Sequence, residues 1–284
     1  MAEPTGTLRL LERAGFFNNA LNNPEYMSPL WEYAVLFGIG LIAGFVNVLA
    51  GGGSMITVPV MVFLGLPGPI ANGTNRIAIL VQNLVAVVTF FRKGLSDFKL
   101  SLILMACTLP GAVIGAWAGT QLRGDWFNRT LAVVMVLMLV SMWAKKGLKP
   151  KANVPSPAVE PKGKRLLWGC LLMTGIGFYG GFIQIGVSLI LMPVLNRVLG
   201  IDLVRVNMHK VFIIFGYTIV ALSIYAWKLD IAWLLGCALA VGNGIGGWAG
   251  ATMSIKRGEQ FIQILLNVAL VVFIIKLLLF SGSG

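Results

Sequence analysis

The sequence predicts an all-α polytopic integral membrane protein built from two repeated halves. Composition, long apolar segments and an internal repeat support this fold class. Of the 284 residues, 57% are hydrophobic and 11% are charged, whereas soluble domains usually contain about 25% charged residues. A water-soluble fold of this size cannot bury that much apolar sequence, so we expect the apolar segments to lie in a lipid bilayer.

The apolar segments are long enough to cross a bilayer in whole or in part, since a helix needs about 20 residues to do so. They cover 34–50, 77–91, 100–122, 131–144, 166–195, 211–227, 231–253 and 261–280. We therefore expect an N-terminal tail at 1–33, a first membrane repeat at 34–146, a linker at 147–165 and a second repeat at 166–280. Residues 281–284 resemble a tag remnant.

The tail and the linker differ in composition. Within the tail, residues 5–21 form a weakly amphipathic pattern, for which an interfacial helix and a solvated tail both fit. The linker region carries most of one basic cluster in a chain of net charge +12. The positive-inside rule predicts a cytoplasmic linker. Together with the apolar segments on both sides of the linker, this predicts a multi-pass protein of the inner or plasma membrane. Nucleic-acid binding is not predicted, because membrane segments flank the cluster and no aromatic residues interleave it.

The internal repeat is the most informative feature of the chain. The sequence GAVIGAWAG at 111–119 reappears as GNGIGGWAG at 242–250, and both form small-xxx-small ridges that predict close helix packing. Upstream, Gly52 corresponds to Gly186, Ser54 to Ser188, and Arg76 to Lys210. Loop charges slightly favour an inverted over a parallel arrangement of the halves, and inverted repeats are frequent in secondary transporters.

Each half contains a glycine-rich break followed by a short apolar piece. In the first half the break is AGGGS at 50–54, and the piece at 54–64 is too short to cross the hydrocarbon core. A half-helix or one arm of a re-entrant hairpin is expected there, and again near Val187 and Ser188. Such breaks are tolerated only inside protein or beside a polar cavity, and helix N-termini there favour an anion. Alternatively, the glycines only allow close packing.

Cationic residues follow each short piece without a matching carboxylate. Arg76, His209 and Lys210 lie in these polar junctions, whereas all ten acidic residues fall in tails, the linker, loops or segment ends. A bound anion would supply the missing counter-charge. The competing interpretation puts both cations at a membrane face, in contact with water or lipid phosphate. His209 is the chain's one histidine and its sole candidate proton carrier near neutral pH.

The predicted substrate site combines these breaks and junctions with nearby amides. It comprises Asn47, Gly52, Gly53, Ser54, Asn75, Arg76, Gln82, Gln184, Gly186, Ser188, Asn207, His209 and Lys210. Each amide would serve equally as a hydrogen-bonding link between helices. No catalytic residue, metal site or cofactor is predicted, because the sequence has no carboxylate pair and no His/Cys cluster of ligand spacing. A transporter is favoured, with a membrane scaffold or insertase and a membrane-embedded enzyme as alternatives.

Several of these motifs resemble the TauE/SafE family of sulfite and organosulfur-anion exporters. The resemblance rests on GFVNVLAGGGSMITVP at 44–59, LGLP at 64–67, ANGTNR at 71–76, GFYGGFIQIG at 177–186 and the two WAG motifs. It implies transport of sulfite, sulfoacetate or related C2 sulfonates, in many members out of the cell. As a mechanism we expect alternating movement of the halves, which exposes the bound anion first on one side of the membrane and then on the other. The second half departs from the pattern, with NMHK at 207–210. The expected partners are a small anion and the lipid bilayer. The sequence does not determine the oligomeric state, and a homodimer is one of the alternatives.

Overall fold

The computed structural model describes residues 29–49, 51–122, individual residues between 126 and 136, and 163–280, with side chains as far as Lys256. None of these residues lies in a β-strand. The helices are α1 Leu30–Leu49, α2 Ser54–Phe63, α3 Gly68–Arg92, α4 Phe98–Gln121, α5 Lys164–Phe182, α6 Val187–Pro193, α7 Leu203–Lys228 and α8 Trp233–Phe280. One π-helical turn, Val194–Val198, continues α6.

Within the described residues, five helices are long and apolar enough to cross a membrane. They are Leu30–Leu49, Gly68–Arg92, Phe98–Gln121, Leu203–Lys228 and Trp233–Lys256. Large apolar side chains on these helices, including Ile42, Ile114 and Trp248, point outward and are more than half exposed, as expected for surfaces that face lipid. The predicted all-α membrane fold is confirmed. Helices suit a membrane because they satisfy their own backbone hydrogen-bonding groups where no water is present.

Two helix boundaries differ from the sequence expectation. The apolar segments at 231–253 and 261–280 belong to one helix of 48 residues, α8, because the polar stretch between them contains no proline and only one glycine. The first membrane helix begins at Leu30 rather than at residue 34. The apolar segment at 166–195 is divided between α5 and α6, as the predicted glycine break requires.

The two halves show the same order of elements: a long helix, a break, a short helix and two long helices. The most extensive packing joins α1 to α8 and α4 to α5, so each half contributes its first helix to the last helix of the other. One apolar cluster lies mainly among α4 to α7, and another lies mainly among α1 to α3 and α8. The inverted arrangement of the halves stays a prediction.

Glycines bring the backbones of these helix pairs together. A Cβ atom at Gly177 of α5 would collide with the carbonyl oxygen of Thr108 in α4, and one at Gly111 with that of Thr174 in α5. The predicted ridges behave alike: added Cβ atoms would come too close to α5 or α1 backbone at Gly111, Gly115, Gly119, Gly242, Gly246 and Gly250. Small residues permit this close approach in membranes.

Parts of the predicted domain organisation lie outside the described residues. They are the tail as far as residue 28 with its predicted interfacial helix, most of the 147–165 linker, and residues 281–284. Only isolated residues of the predicted segment at 131–144 are described. The domain boundaries therefore stay predictions.

Candidate functional site

The two glycine breaks meet in the protein interior. The hydroxyl of Ser54, at the start of α2, donates to the carbonyl of Gln184 at 3.5 Å and accepts the N–H of Gly186 at 3.2 Å. Gly51 has a φ of +84° and Gly186 a φ of +68°, a conformation that other residues adopt only at a cost. A side chain at Gly51 would also collide with Ser188 of α6. The breaks therefore form a single polar region.

Arg76 is fully buried beside this region. Its guanidinium donates to the carbonyl of Gly180 at 3.0 Å, to the carbonyl of Gly181, and to Oε1 of Gln184 at 3.0 Å. It also lies 4.4 Å from the ring centroid of Tyr225. Gly180 and Gly181 are in the last turn of α5, whose carbonyls carry the negative end of the helix dipole. Arg76 from the first half thus caps a helix of the second half.

Lys210 makes the corresponding contacts in the opposite direction. Its ammonium donates to the carbonyl of Val48 at 2.6 Å, the carbonyl of Asn47 at 3.3 Å, and Oδ1 of Asn207 at 2.8 Å. Asn47 and Val48 are in the last turn of α1. Lys210 from the second half thus caps the helix that precedes the first break.

Both cations are compensated by backbone carbonyls in this structure. Arg76 is 0% exposed and Lys210 is 1% exposed, which contradicts the competing interpretation that both side chains reach water or lipid phosphate. Among the described residues, neither forms an ion pair with a carboxylate. Partial charges at two helix ends therefore stabilise two full positive charges, and a bound anion as counter-charge stays a prediction.

The two cations differ in the hydrogen-bonding capacity they have left. Within the described part of the chain, Nε of Arg76 and Nδ2 of Asn75 are buried and have no hydrogen-bond partner. Oδ1 of Asn75 accepts the hydroxyl of Thr57 at 2.8 Å, which holds this side chain against the first turn of α2. Lys210 already has three oxygen acceptors. An incoming anion would therefore find unused N–H donors on Arg76 and Asn75.

Polar side chains that the prediction did not include complete the region. Nδ2 of Asn72 donates to the carbonyl of Phe182 at 3.0 Å and to the hydroxyl of Tyr225 at 2.8 Å, and Nε2 of Gln184 donates to the hydroxyl of Tyr217 at 3.0 Å. Tyr217 and Tyr225 are buried in α7. Their spacing of eight residues, which puts them on one helix face, was the available sequence signal.

The remaining predicted residues fall into two groups. Asn47 donates to Gln82 at 3.2 Å and Asn207 to Ser254 at 3.2 Å, so these amides link neighbouring helices. At the first break, Gly53 approaches the α1 backbone closely, whereas Gly52 faces open space.

The structure separates His209 from the two breaks. Its Nδ1 is 2.8 Å from the hydroxyl of Ser101, and its Nε2 is 4.0 Å from a carboxylate oxygen of Asp97. Ser101 lies in the first turn of α4, and Asp97 is the N-cap of that helix. His209 therefore belongs to a different polar cluster from the one formed by Arg76, Asn75, Ser54 and Gln184.

No group of three or more metal-ligating side chains occurs among the residues that the structure describes. Membrane-spanning helices that enclose two facing breaks, each next to a buried cation, define a multi-pass membrane transporter. The chain belongs to the TauE/SafE family: a family model described as "Sulfite exporter TauE/SafE" matches residues 36–277.

Relatives along most of the chain carry transporter names. "Probable membrane transporter protein ORF9" of Sinorhizobium sp is 28% identical over 86% of this chain and 92% of its own length. "Probable membrane transporter protein YfcA" of Escherichia coli is 25% identical over 90% and 93%. YunE of Bacillus subtilis, with the same descriptive name, is 25% identical over 84% and 95%. No solved structure matches the chain.

Proposed function

We propose that this chain is a secondary transporter that exports a small anion, sulfite or a C2 organosulfonate such as sulfoacetate, across the cytoplasmic membrane by alternating access. The observation that carries the proposal is the pair of unused donors, Nε of Arg76 and Nδ2 of Asn75, beside two facing helix breaks. Sulfite and sulfonate groups each present three oxygens that accept such hydrogen bonds. Sulfur chemistry and export are supported by the family description, "Sulfite exporter TauE/SafE".

The crossed helix caps suggest how binding and movement are linked. Arg76 bonds to α5 and Lys210 to α1, so each contact joins one half to the other. Relative motion of the halves would break these hydrogen bonds and leave buried N–H donors without acceptors. Each such donor costs about 1–3 kcal/mol of free energy. Oxygens of a bound anion would replace the lost carbonyls. The bound anion would then stabilise the arrangement that lies between the inward-open and outward-open states, through contacts that the protein lacks without the anion. A ligand shifts a conformational equilibrium only through such a difference in contacts.

Export of an anion needs no further energy source. With the cell interior negative, outward movement of one negative charge is favoured by about 2.3 kcal/mol per 100 mV. In the same proposal the 147–165 linker faces the cytoplasm, as its basic residues predict.

Flux in proteoliposomes tests the proposal directly. We expect the purified protein to carry sulfite or sulfoacetate faster than protein-free liposomes, and faster than it carries sulfate. Flux of none of these anions would overturn the proposal and favour a scaffold or insertase. Chemical conversion of an anion without its movement would favour a membrane-embedded enzyme.

Asn75→Ala should weaken anion binding while leaving the protein folded. The variant removes one unused donor next to the break, and one hydrogen bond to a charged group is worth about 1.5–3 kcal/mol. We expect the KM for transport to rise by about tenfold or more. Asn83→Ala is the matched control, because Asn83 is as buried in α3 as Asn75 and, among the described residues, donates only to the carbonyl of Ile79 in its own helix. Equal KM values in the two variants would contradict the assignment.

A further inference from the structure

A second polar cluster lies where α3 and α4 join, and the proposed transport step does not use it. It consists of Asp97, Ser101 and His209, which we call the junction cluster. The His209 ring is 1% exposed, and its two nitrogens face Ser101 at 2.8 Å and Asp97 at 4.0 Å. The Asp97 side chain is 38% exposed. The cluster thus leads from an accessible carboxylate to a buried imidazole and a buried hydroxyl.

The surroundings of the junction cluster give it access from outside the bundle. Asp97 and Ser101 line a pocket whose other walls include Phe90 at the end of α3 and Met208 and Phe212 of α7. The second carboxylate oxygen of Asp97 accepts the N–H of Leu100 at 3.2 Å, which fixes the side chain at the start of α4. One bridging water or a small side-chain rotation would close the 4.0 Å between Asp97 and His209.

Few charged groups act on the imidazole. Asp97 faces it from the start of α4, and Asp202, the N-cap of α7, and Arg205, in the first turn of that helix, also act on it. Arg205 and Asp202 pair with each other at 3.5 Å. Lys210 is the next residue of α7. Its ammonium donates a hydrogen bond to the carbonyl of Val48 at the end of α1, just before the first break. A proton on His209 would therefore add positive charge beside the element that supports the proposed anion site.

We propose that the junction cluster is a proton-binding site coupled to anion binding. In the neutral form, Nδ1–H of His209 donates to Ser101 and Nε2 has a free lone pair. A proton from solution reaches Nε2 by way of the exposed Asp97 carboxylate, which ends the step as the carboxylate it began as, while the imidazole becomes a cation with two N–H groups and the cluster gains one proton. The proton leaves to solution by the same route when the anion leaves. Imidazole suits this role because its neutral form donates a hydrogen bond from one ring nitrogen and accepts a proton at the other.

The coupling has a defined sign. A positive charge on His209 favours an anion at the breaks, so anion affinity should be higher at low pH and fall as the imidazole loses its proton. By linkage, anion binding must raise proton affinity by the same factor. We expect the affinity to change by about tenfold overall, within the usual range for coupled sites. The inference rests on the proposed function, because it presumes that an anion binds.

Calorimetry can count the protons taken up when the anion binds. The probe is sulfoacetate, since sulfite itself titrates near neutral pH, and the binding enthalpy is compared in buffers of different ionisation enthalpy. We expect the wild type to take up at most about half a proton per anion, the limit that a tenfold coupling sets at the pH where the affinity changes most steeply, and His209→Gln to take up none and show pH-independent affinity. Asp97→Asn should take up fewer protons while keeping the α4 cap, because asparagine caps helices nearly as well.

Ser223→Ala is the matched control, because Ser223 is an exposed α7 residue whose hydroxyl, within the described part of the chain, donates only to the carbonyl of Ile219 in the same helix. It should take up protons as the wild type does. Anion binding without proton uptake in the wild type would overturn the coupling and leave the proposed function intact. Uptake in His209→Gln equal to that of the wild type would also overturn it. Absence of binding by every anion tested would overturn both proposals.

Discussion

Arg76→Gln is expected to lower anion flux by about a hundredfold, and Lys210→Gln to disrupt transport together with stability. Arg76 makes three hydrogen bonds to the α5 end and Gln184, and keeps one unused donor. Two charge-assisted hydrogen bonds at about 1.5–3 kcal/mol each account for a hundredfold or more. Both variants lose hydrogen bonds that cap a helix end and should lower the thermal midpoint, but Lys210 already has three oxygen acceptors in the protein, so its loss should act on transport through the released α1 end. Flux and thermal midpoint in detergent, measured together, separate the two roles.

Two further variants make this prediction specific. Arg76→Lys keeps the charge but loses the planar fork, so we expect partial flux with a raised KM. Lys228→Gln is the control for Lys210, because Lys228 is also an α7 cation but is exposed and lies over the Trp227 ring at 4.5 Å. Flux at the wild-type level in both Arg76→Gln and Lys210→Gln would contradict the anion-site assignment.

Gly177→Ala is expected to destabilise the protein, although alanine forms helices better than glycine. The new methyl group would collide with the α4 backbone at the carbonyl of Thr108, which cannot move without separating the helices. Overpacking of this kind costs about 1–3 kcal/mol or more, so the thermal midpoint in detergent should fall by roughly 5 °C or more. Gly40→Ala in α1 should behave alike, because its methyl group would collide with Leu239 of α8.

The same helices provide matched controls for these glycines. Gly175 of α5 and Gly38 of α1 have no atom within 4 Å of an added Cβ. Gly175→Ala and Gly38→Ala should therefore leave the thermal midpoint unchanged or raise it slightly, since alanine is favoured in helices by about 1 kcal/mol. A fall equal to that of Gly177→Ala would show that glycine is needed for a reason other than close packing.

Much of the fold could be predicted from local patterns. The apolar segments indicated the membrane helices, and the glycine-rich stretches indicated breaks followed by helices that begin at Ser54 and near Val187, as observed. The ridges at 111–119 and 242–250 were predicted as packing surfaces because small residues at every fourth position leave a groove. The sequence did not show that α8 is continuous, because a polar stretch without proline can end a span or extend a helix.

The site was less predictable, because its chemistry depends on partners distant in sequence. Arg76 and Lys210 were identified as unusual cations, but their partners are carbonyls more than a hundred residues away. Backbone carbonyls have no sequence signature, so counting carboxylates suggested an uncompensated charge where helix ends compensate it. Tyr217 and Tyr225 were not predicted, since an aromatic residue in an apolar helix usually packs without a polar role.

The sequence by itself determined that the chain is an all-α membrane protein with two glycine breaks, each followed by a short apolar piece and a cation. Those features follow from hydrophobicity, helix length and the special backbone freedom of glycine, which act over neighbouring residues. Only the tertiary structure decided that the breaks face each other, that each cation caps a helix of the opposite half, and that His209 belongs to the junction cluster. These pairings depend on helix packing, because hydrogen bonds form between groups brought within about 3 Å whatever their separation along the chain.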